Sequence, residues 1–108
     1  MTTITNYEDL NNTIQKDFVL VIAKTKTCTI CKTIDWQFKH QIKHYESLEK
    51  FEVYIEDVER FRGEHMVFSV PTILFFSEGK ELLRQSRFFN FDMINRLIET
   101  YRPLKNTL

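Results

Sequence analysis

The sequence contains few glycines and prolines, two of each in 108 residues. This composition is too poor in turn-forming residues for a loop-rich or disordered chain. Cysteine is equally scarce, with only two residues, which excludes a small fold held together by several disulfides. With 43% hydrophobic residues and ten phenylalanines, the chain can instead bury a core. Its length predicts one domain that covers residues 1–108.

A net charge is also missing, because Lys and Arg together number 15 and so do Asp and Glu. This balance gives no reason to expect nucleic acid or an anionic membrane as a partner. No apolar run approaches the roughly 20 residues that cross a bilayer. Residues 1–6 lack the basic and apolar segments of a signal peptide. We therefore expect a soluble, cytoplasmic protein.

Hydrophobic periodicity predicts alternating strands and helices. A short strand at Ile4 and a helix capped by Asn6 come first. The remaining predicted helices and strands are, in chain order, a helix over 7–16, a strand over 18–23, a helix over 28–48, a strand over 51–58, a helix over 59–68, strands over 72–76 and 81–86, and a helix from Asn90 that ends before Pro103. From residue 18 onward the order is βαβαββα. It predicts an α/β fold with a central mixed sheet, parallel in its centre and antiparallel at one edge, and helices on both faces.

Cys28 and Cys31, the two cysteines, are three residues apart where the strand over 18–23 leads into a helix. Cys28 would lie at the helix N-terminus, where unpaired N–H groups and the positive end of the helix dipole stabilise a thiolate. Cys31 follows one turn later, close enough to displace a mixed disulfide held on Cys28. A C-x-x-C motif in this context indicates a redox dithiol, with Cys28 as nucleophile and Cys31 as resolving thiol.

Lys24, Lys26 and Lys32 lie within a few residues of Cys28. They have two interpretations. Three cations around one sulfur would lower the pKa of its thiol. Alternatively, the lysines belong to a solvated loop and contribute little to the site.

The element order and the C-x-x-C motif resemble the thioredoxin family. The segment Ser69-Val70-Pro71-Thr72 resembles the cis-proline segment of that family and begins its strand 40 residues after Cys31. The resemblance extends over nearly the whole chain and implies a thioredoxin-like fold with a cis peptide bond before Pro71. It also implies that the peptide groups of Val70 face the dithiol and pair with an extended substrate, as an added strand would.

Several positions depart from the family pattern. Thr27 replaces a tryptophan before the first cysteine, Thr29-Ile30 replaces Gly-Pro between the cysteines, and Ile22 replaces a buried aspartate. Glu52, on the neighbouring predicted strand, is a candidate substitute for that aspartate as proton relay to Cys31. The alternative is that Glu52 is solvated, since glutamate is rarely buried. Phe88-Phe89 forms either an apolar rim near the thiol or part of the core.

Together, the C-x-x-C motif, the element order and the resemblance predict a thiol–disulfide oxidoreductase without a metal or another cofactor. Its expected substrates are protein disulfides or mixed disulfides of low-molecular-weight thiols, and a reductase would recycle it. One alternative is a non-catalytic protein-binding module that uses the Val70-Pro71 groove and keeps a vestigial dithiol. A second is a zinc site completed by the C-x-x-C motif of another chain.

Overall fold

The computed structural model describes residues 1–27 and 30–106, with 102–106 described by their backbone alone. The strands are β1 (Thr2–Ile4), β2 (Val19–Lys24), β3 (Lys50–Tyr54), β4 (Thr72–Ser77) and β5 (Lys80–Ser86), and the helices are α1 (Tyr7–Thr13), α2 (Ile30–Gln41), α3 (Glu59–Glu64) and α4 (Phe91–Asn106). All six residues of β2 are buried, as its continuous apolar sequence predicts. Asn6 begins α1, because its side chain accepts a hydrogen bond from the backbone N–H of Asp9 at 2.8 Å.

The five strands form one mixed sheet in the order β1-β3-β2-β4-β5. Strands β1, β3 and β2 are parallel, and β4 is antiparallel to both β2 and β5. The mixed sheet is confirmed, but antiparallel pairing begins in its centre rather than at one edge. Residues 55–71, which include the six-residue α3, connect β3 to β4.

Helices cover both faces of the sheet, as predicted. On one face, Leu10 of α1 and Phe61 of α3 pack with side chains of β2, β3 and β4. On the other face, Phe38 of α2 and Ile98 of α4 pack with the alternate side chains of β2 and β4. Alternate side chains of β2 belong to different layers of the core. Ile22 and Leu20 face α2, whereas Val21 and Ala23 face α1 and α3.

Four predicted helix ends are wrong, including that of α3, which ends at Glu64 rather than at residue 68. Helix α1 ends at Thr13 rather than at residue 16, and α2 ends at Gln41 rather than at residue 48. After α2 the chain takes a left-handed conformation at His44 (φ 61°) and continues as a short 3₁₀ turn over Tyr45–Ser47. The apolar spacing continues across this break because α2 and the 3₁₀ turn both bury side chains in the same layer of the core. Helix α4 runs past Pro103, whose fixed φ is compatible with a helix although it donates no hydrogen bond.

The two glycines provide a matched pair of substitutions. Gly79 joins β4 to β5 with φ +85°, so Gly79→Ala is expected to lower the free energy of unfolding by about 1 kcal/mol. Gly63 lies in α3 with nothing within 4 Å of an added Cβ, so Gly63→Ala is expected to raise the free energy of unfolding by about 0.5–1 kcal/mol. Urea unfolding of both variants measures the difference. Equal effects of the same sign would contradict this interpretation of the turn.

Candidate functional site

The loop that leads from β2 to α2 carries the C-x-x-C motif. Cys28 and Thr29 lie outside the described residues, so the predicted nucleophile is not placed. Cys31 lies in the first turn of α2 and is only 6% exposed, so the predicted resolving position is buried against the core. The first turn of α2 contains no acidic residue, and no side chain there opposes an anion at the N-terminus of the helix.

The predicted cis-proline segment lies at the same end of the sheet. The Val70–Pro71 peptide bond is cis, as the resemblance implied. Thr72 follows it and pairs with Ala23, which lies near the end of β2. The hydroxyl of Thr72 donates a hydrogen bond to the carbonyl oxygen of Ser69. The register therefore brings the segment before β4 and the loop before α2 to one end of the sheet.

Apolar side chains are exposed at this end. Ile30 begins α2, and Phe68 precedes the Val70–Pro71 bond by two residues. Phe88 is 89% exposed and follows Ser86, which pairs with Thr72. Its neighbour Phe89 instead packs edge-on against Phe38, with ring centroids 5.1 Å apart. Of the two alternatives for the Phe88-Phe89 pair, exposure therefore describes Phe88 and core packing describes Phe89.

A partly buried ion cluster joins β2, α2 and β3, and it is formed by Lys24, Asp35 and Glu52. Lys24 Nζ is 2.8 Å from Asp35 Oδ2 and 2.9 Å from Glu52 Oε1. The exposed fractions of the three side chains are 6%, 39% and 17%, respectively. The interpretation of Lys24 as part of a solvated loop is wrong, since its ammonium lies inside the protein and its charge is shared by two carboxylates. The interpretation of Glu52 as a solvated residue is also wrong.

The position of Glu52 follows from the strand register. Glu52 pairs with Ile22 on the neighbouring strand, so the two side chains lie on the sheet face covered by α2. A second hydrogen bond holds its carboxylate, because Thr3 Oγ1 donates to Glu52 Oε2 at 2.6 Å. A carboxylate therefore lies on β3, beside Ile22, where the resemblance implied an aspartate on β2.

The charges of Lys24 and Glu52 are stabilised by their partners. Burial opposes the charge of Lys24, but hydrogen bonds and attraction to Asp35 and Glu52 raise the pKa of its ammonium above the ordinary 10.5. Burial also opposes the charge of Glu52, but hydrogen bonds from Thr3 and Lys24 lower the pKa of its carboxyl below the ordinary 4.5. Lys24 and Glu52 are therefore both charged at neutral pH.

Two buried polar atoms near this cluster have no hydrogen-bond partner within the described part of the chain. They are Oδ1 of Asp35 and the hydroxyl of Tyr45. The side chain of Asp35 is partly exposed as a whole, but this one oxygen is buried. Burial, followed by the negative charges of Asp35, Glu46 and Glu52, raises the pKa of Tyr45, which therefore stays neutral.

The other two lysines near the motif behave differently. Lys26 is exposed and pairs with Asp57 at 2.9 Å, and Lys32 is exposed on α2. Asp35 was missed by sequence reasoning, which assigned it to the outer face of the helix. Its spacing of four residues from Cys31 is the one signal that could have identified it, since residues i and i+4 are neighbours on a helix surface.

Residues 1–27 and 30–106 contain no group of three or more His, Cys, Asp or Glu side chains that could hold a metal ion. Among the same residues, no helix is both long enough and apolar enough to cross a membrane.

A family model identifies the family of this chain, and solved structures share its fold. Residues 1–99 match the sequence model of the Thioredoxin family. The thioredoxin-like protein YdfQ of Bacillus subtilis (strain 168) is 28% identical over 89 residues, which cover 82% of this chain and 80% of YdfQ. The structure superposes on thioredoxin from Plasmodium falciparum with a TM-score of 0.75, 20% identity and coverage of 94% of this chain and 99% of that one. For thioredoxin from Trypanosoma brucei brucei the TM-score is 0.77, with 17% identity and coverage of 93% and 88%.

Proposed function

This chain belongs to the thioredoxin family, and from that premise we propose that it is a thiol–disulfide oxidoreductase that cycles Cys28 and Cys31 between dithiol and disulfide. The observation that carries the proposal is the position of Cys31. It is buried in the first turn of α2, at the end of the sheet where the cis Val70–Pro71 bond also lies.

The proposed reaction has two steps. The Cys28 thiolate attacks a substrate disulfide and forms a mixed disulfide, while one substrate thiol leaves. Cys31 then attacks Cys28 Sγ and releases the second substrate thiol. The helix N-terminus favours the thiolate of Cys28 over its thiol. The cationic stabilisation of Cys28 is weaker than three free lysines would give, because Lys24 and Lys26 are both paired with carboxylates.

The proposed substrates are protein disulfides, with mixed disulfides of low-molecular-weight thiols as a second class. Members of the thioredoxin family generally act on protein disulfides and are recycled by reductases. The exposed Phe68 and Phe88 support a protein substrate, since they offer apolar surface on either side of the Val70-Pro71 segment. An extended chain would pair with the peptide groups of Val70. We place the reaction in the cytoplasm, where a reductase keeps such a dithiol reduced.

A redox titration tests this function. The protein is equilibrated with mixtures of reduced and oxidised dithiothreitol, its free thiols are alkylated, and the mass is measured. We expect both thiols to titrate together as one two-electron couple, with a tenfold change in the ratio of the two forms for each change of about 30 mV. In a parallel assay, the protein is expected to accelerate the reduction of insulin disulfides by dithiothreitol.

The same measurements identify the alternatives. A dithiol that titrates but accelerates no disulfide reduction, with any electron donor, would favour the non-catalytic binding module that uses the Val70-Pro71 groove. Zinc bound after purification, at one ion for every two chains, would favour the zinc site shared between two C-x-x-C motifs.

A further inference from the structure

We propose that Asp35 accepts the proton of Cys31 when Cys31 resolves the mixed disulfide. This inference rests on the proposed function, because it assigns a residue to the second step of that reaction. A buried thiol has a raised pKa and needs a base before it can attack. Ile22 lies where the family pattern has an aspartate, so this chain requires a base from elsewhere.

Asp35 lies on the correct side of α2. It follows Cys31 by four residues, so its side chain is rotated by only about 40° around the helix axis from that of Cys31. Side chains at this spacing have Cβ atoms about 5–6 Å apart. Ile34 and Phe38, which lie on the other side of Cys31 around the helix axis, are buried. Asp35 therefore lies at the margin of the buried stripe that contains Cys31.

The hydrogen bonds of the cluster distinguish its two carboxylates. Glu52 has both oxygens engaged, Oε1 by Lys24 and Oε2 by Thr3. Asp35 has only Oδ2 engaged, by Lys24. Its Oδ1 is buried and accepts no hydrogen bond from any of the residues that the structure describes. Asp35 thus has a lone pair available for a proton, whereas protonation of Glu52 would compete with two existing hydrogen bonds.

The step balances as follows. Asp35 Oδ1 takes the proton of the Cys31 thiol and becomes a neutral carboxyl. The Cys31 thiolate attacks Cys28 Sγ, a sulfur–sulfur bond forms between the cysteines, and the bond from Cys28 to the substrate sulfur breaks. The substrate sulfur leaves with the electron pair as a thiolate and takes up a proton from solvent. Asp35 then returns its proton to solvent, so the substrate is reduced and the dithiol is oxidised.

Lys24 is a positioning residue in this proposal. Its bond of 2.8 Å to Oδ2 fixes the carboxylate and leaves Oδ1 as the open oxygen. The titratable groups around Asp35 are Lys24 of β2, Glu52 of β3 and Tyr45 of the 3₁₀ turn, together with Lys32 and Lys39 on its own helix. Of these, Glu52 and Lys24 stay charged, and Tyr45 stays neutral, across the neutral range.

The test separates the two steps with dithiobis(nitrobenzoic acid), mixed with an excess of the reduced protein. Attack by Cys28 releases one coloured thiolate, and attack by Cys31 releases the second. In Asp35→Asn we expect the first phase to keep its wild-type rate and the second to slow by at least about tenfold at neutral pH. The deficit should shrink as the pH rises, because hydroxide then ionises Cys31 without a base.

Three further variants sharpen the result. Asp57→Asn removes an aspartate that pairs with an exposed lysine at 2.9 Å, and it should leave the rate of the second phase unchanged. Asp35→Glu keeps a carboxylate and should recover part of the second-phase rate, which a loss caused by altered packing would not do. Glu52→Gln should slow the second phase less than Asp35→Asn does.

Two outcomes would overturn the assignment. One is a second phase at the wild-type rate in Asp35→Asn. The other is a second phase that slows in Glu52→Gln alone, which would make Glu52 the relay. Failure of the proposed function is recognisably different, since the wild-type protein would then release no coloured thiolate, or would lack a second phase.

Discussion

Cys28→Ser is expected to lose disulfide reductase activity by at least about a thousandfold, because a serine hydroxyl is not ionised at neutral pH and does not attack a disulfide. Cys31→Ser should behave differently. Its Cys28 still attacks, but the mixed disulfide persists until an external thiol removes it. Insulin reduction by dithiothreitol measures the first effect, and the intact mass measures the second, as a covalent adduct found in Cys31→Ser alone.

The pair of variants also tests the assignment of roles. An adduct that accumulates on Cys28→Ser instead would reverse the nucleophile and the resolving thiol. Wild-type activity in both variants would remove the dithiol from the reaction altogether. Circular dichroism of each variant provides the control, because Cys31 contributes to the buried side of α2 and its replacement must leave the fold intact.

Lys24→Met is expected to lower the free energy of unfolding by about 3 kcal/mol. The methylene groups of the lysine are replaced by a side chain of similar size, but Glu52 and Asp35 lose their shared counter-charge. We take the lower end of the range for broken buried ion pairs because Asp35 is partly exposed and therefore partly screened. Urea denaturation at neutral pH measures the loss.

Lys26→Met is the matched control, because Lys26 also pairs with a carboxylate at 2.9 Å but is 58% exposed. Its effect is expected to stay below about 1 kcal/mol. Equal losses in the two variants would contradict the importance of burial. A loss of less than about 1 kcal/mol in Lys24→Met would show that the ion cluster contributes little to stability.

The cost of Lys24→Met should depend on pH. In the wild-type protein the pKa of Glu52 is lowered on folding, so its stabilising effect is present above the ordinary value of 4.5 and is lost as the pH falls through the folded value. The raised pKa of Lys24 acts in the opposite direction, with a stabilising effect present below 10.5 and lost as the pH rises through the folded value. Without Lys24, the pKa of Glu52 should lie higher than in the wild type, because burial still opposes its charge and the ammonium no longer offsets it. The difference between variant and wild type should therefore shrink as the pH falls below 4.5.

Local sequence patterns predicted the elements that bury continuous or periodic apolar faces. The uninterrupted apolar run before Lys24 predicts a buried strand, and β2 is buried throughout. The break after α2 was not predictable in the same way. Ile42, Tyr45 and Leu48 keep the spacing of a helix and are all buried, although the chain turns through a left-handed residue at His44. Periodicity reports which side is buried and not whether the backbone continues.

The ion cluster shows what a single sequence hides. Lysine is rarely buried, and Lys24 is buried only because the fold brings in carboxylates from positions 11 and 28 residues away. The register of β2 against β3 decides that Glu52 lies beside Ile22, and a shift of one residue would have placed its side chain on the opposite face. Such non-local pairings carry no local signature. The cis peptide bond before Pro71 was predicted, but only through the family resemblance.

The two edge strands of the sheet, β1 and β5, determine whether a strand of another chain can pair with it. β1 offers only three residues, and β5 carries Lys80, Glu81 and Arg84 opposite an irregularity in the register between Phe75 and Phe76. Short edge strands, edge charges and bulges all oppose the addition of a foreign strand. The sheet is thus protected against edge-to-edge aggregation on both sides.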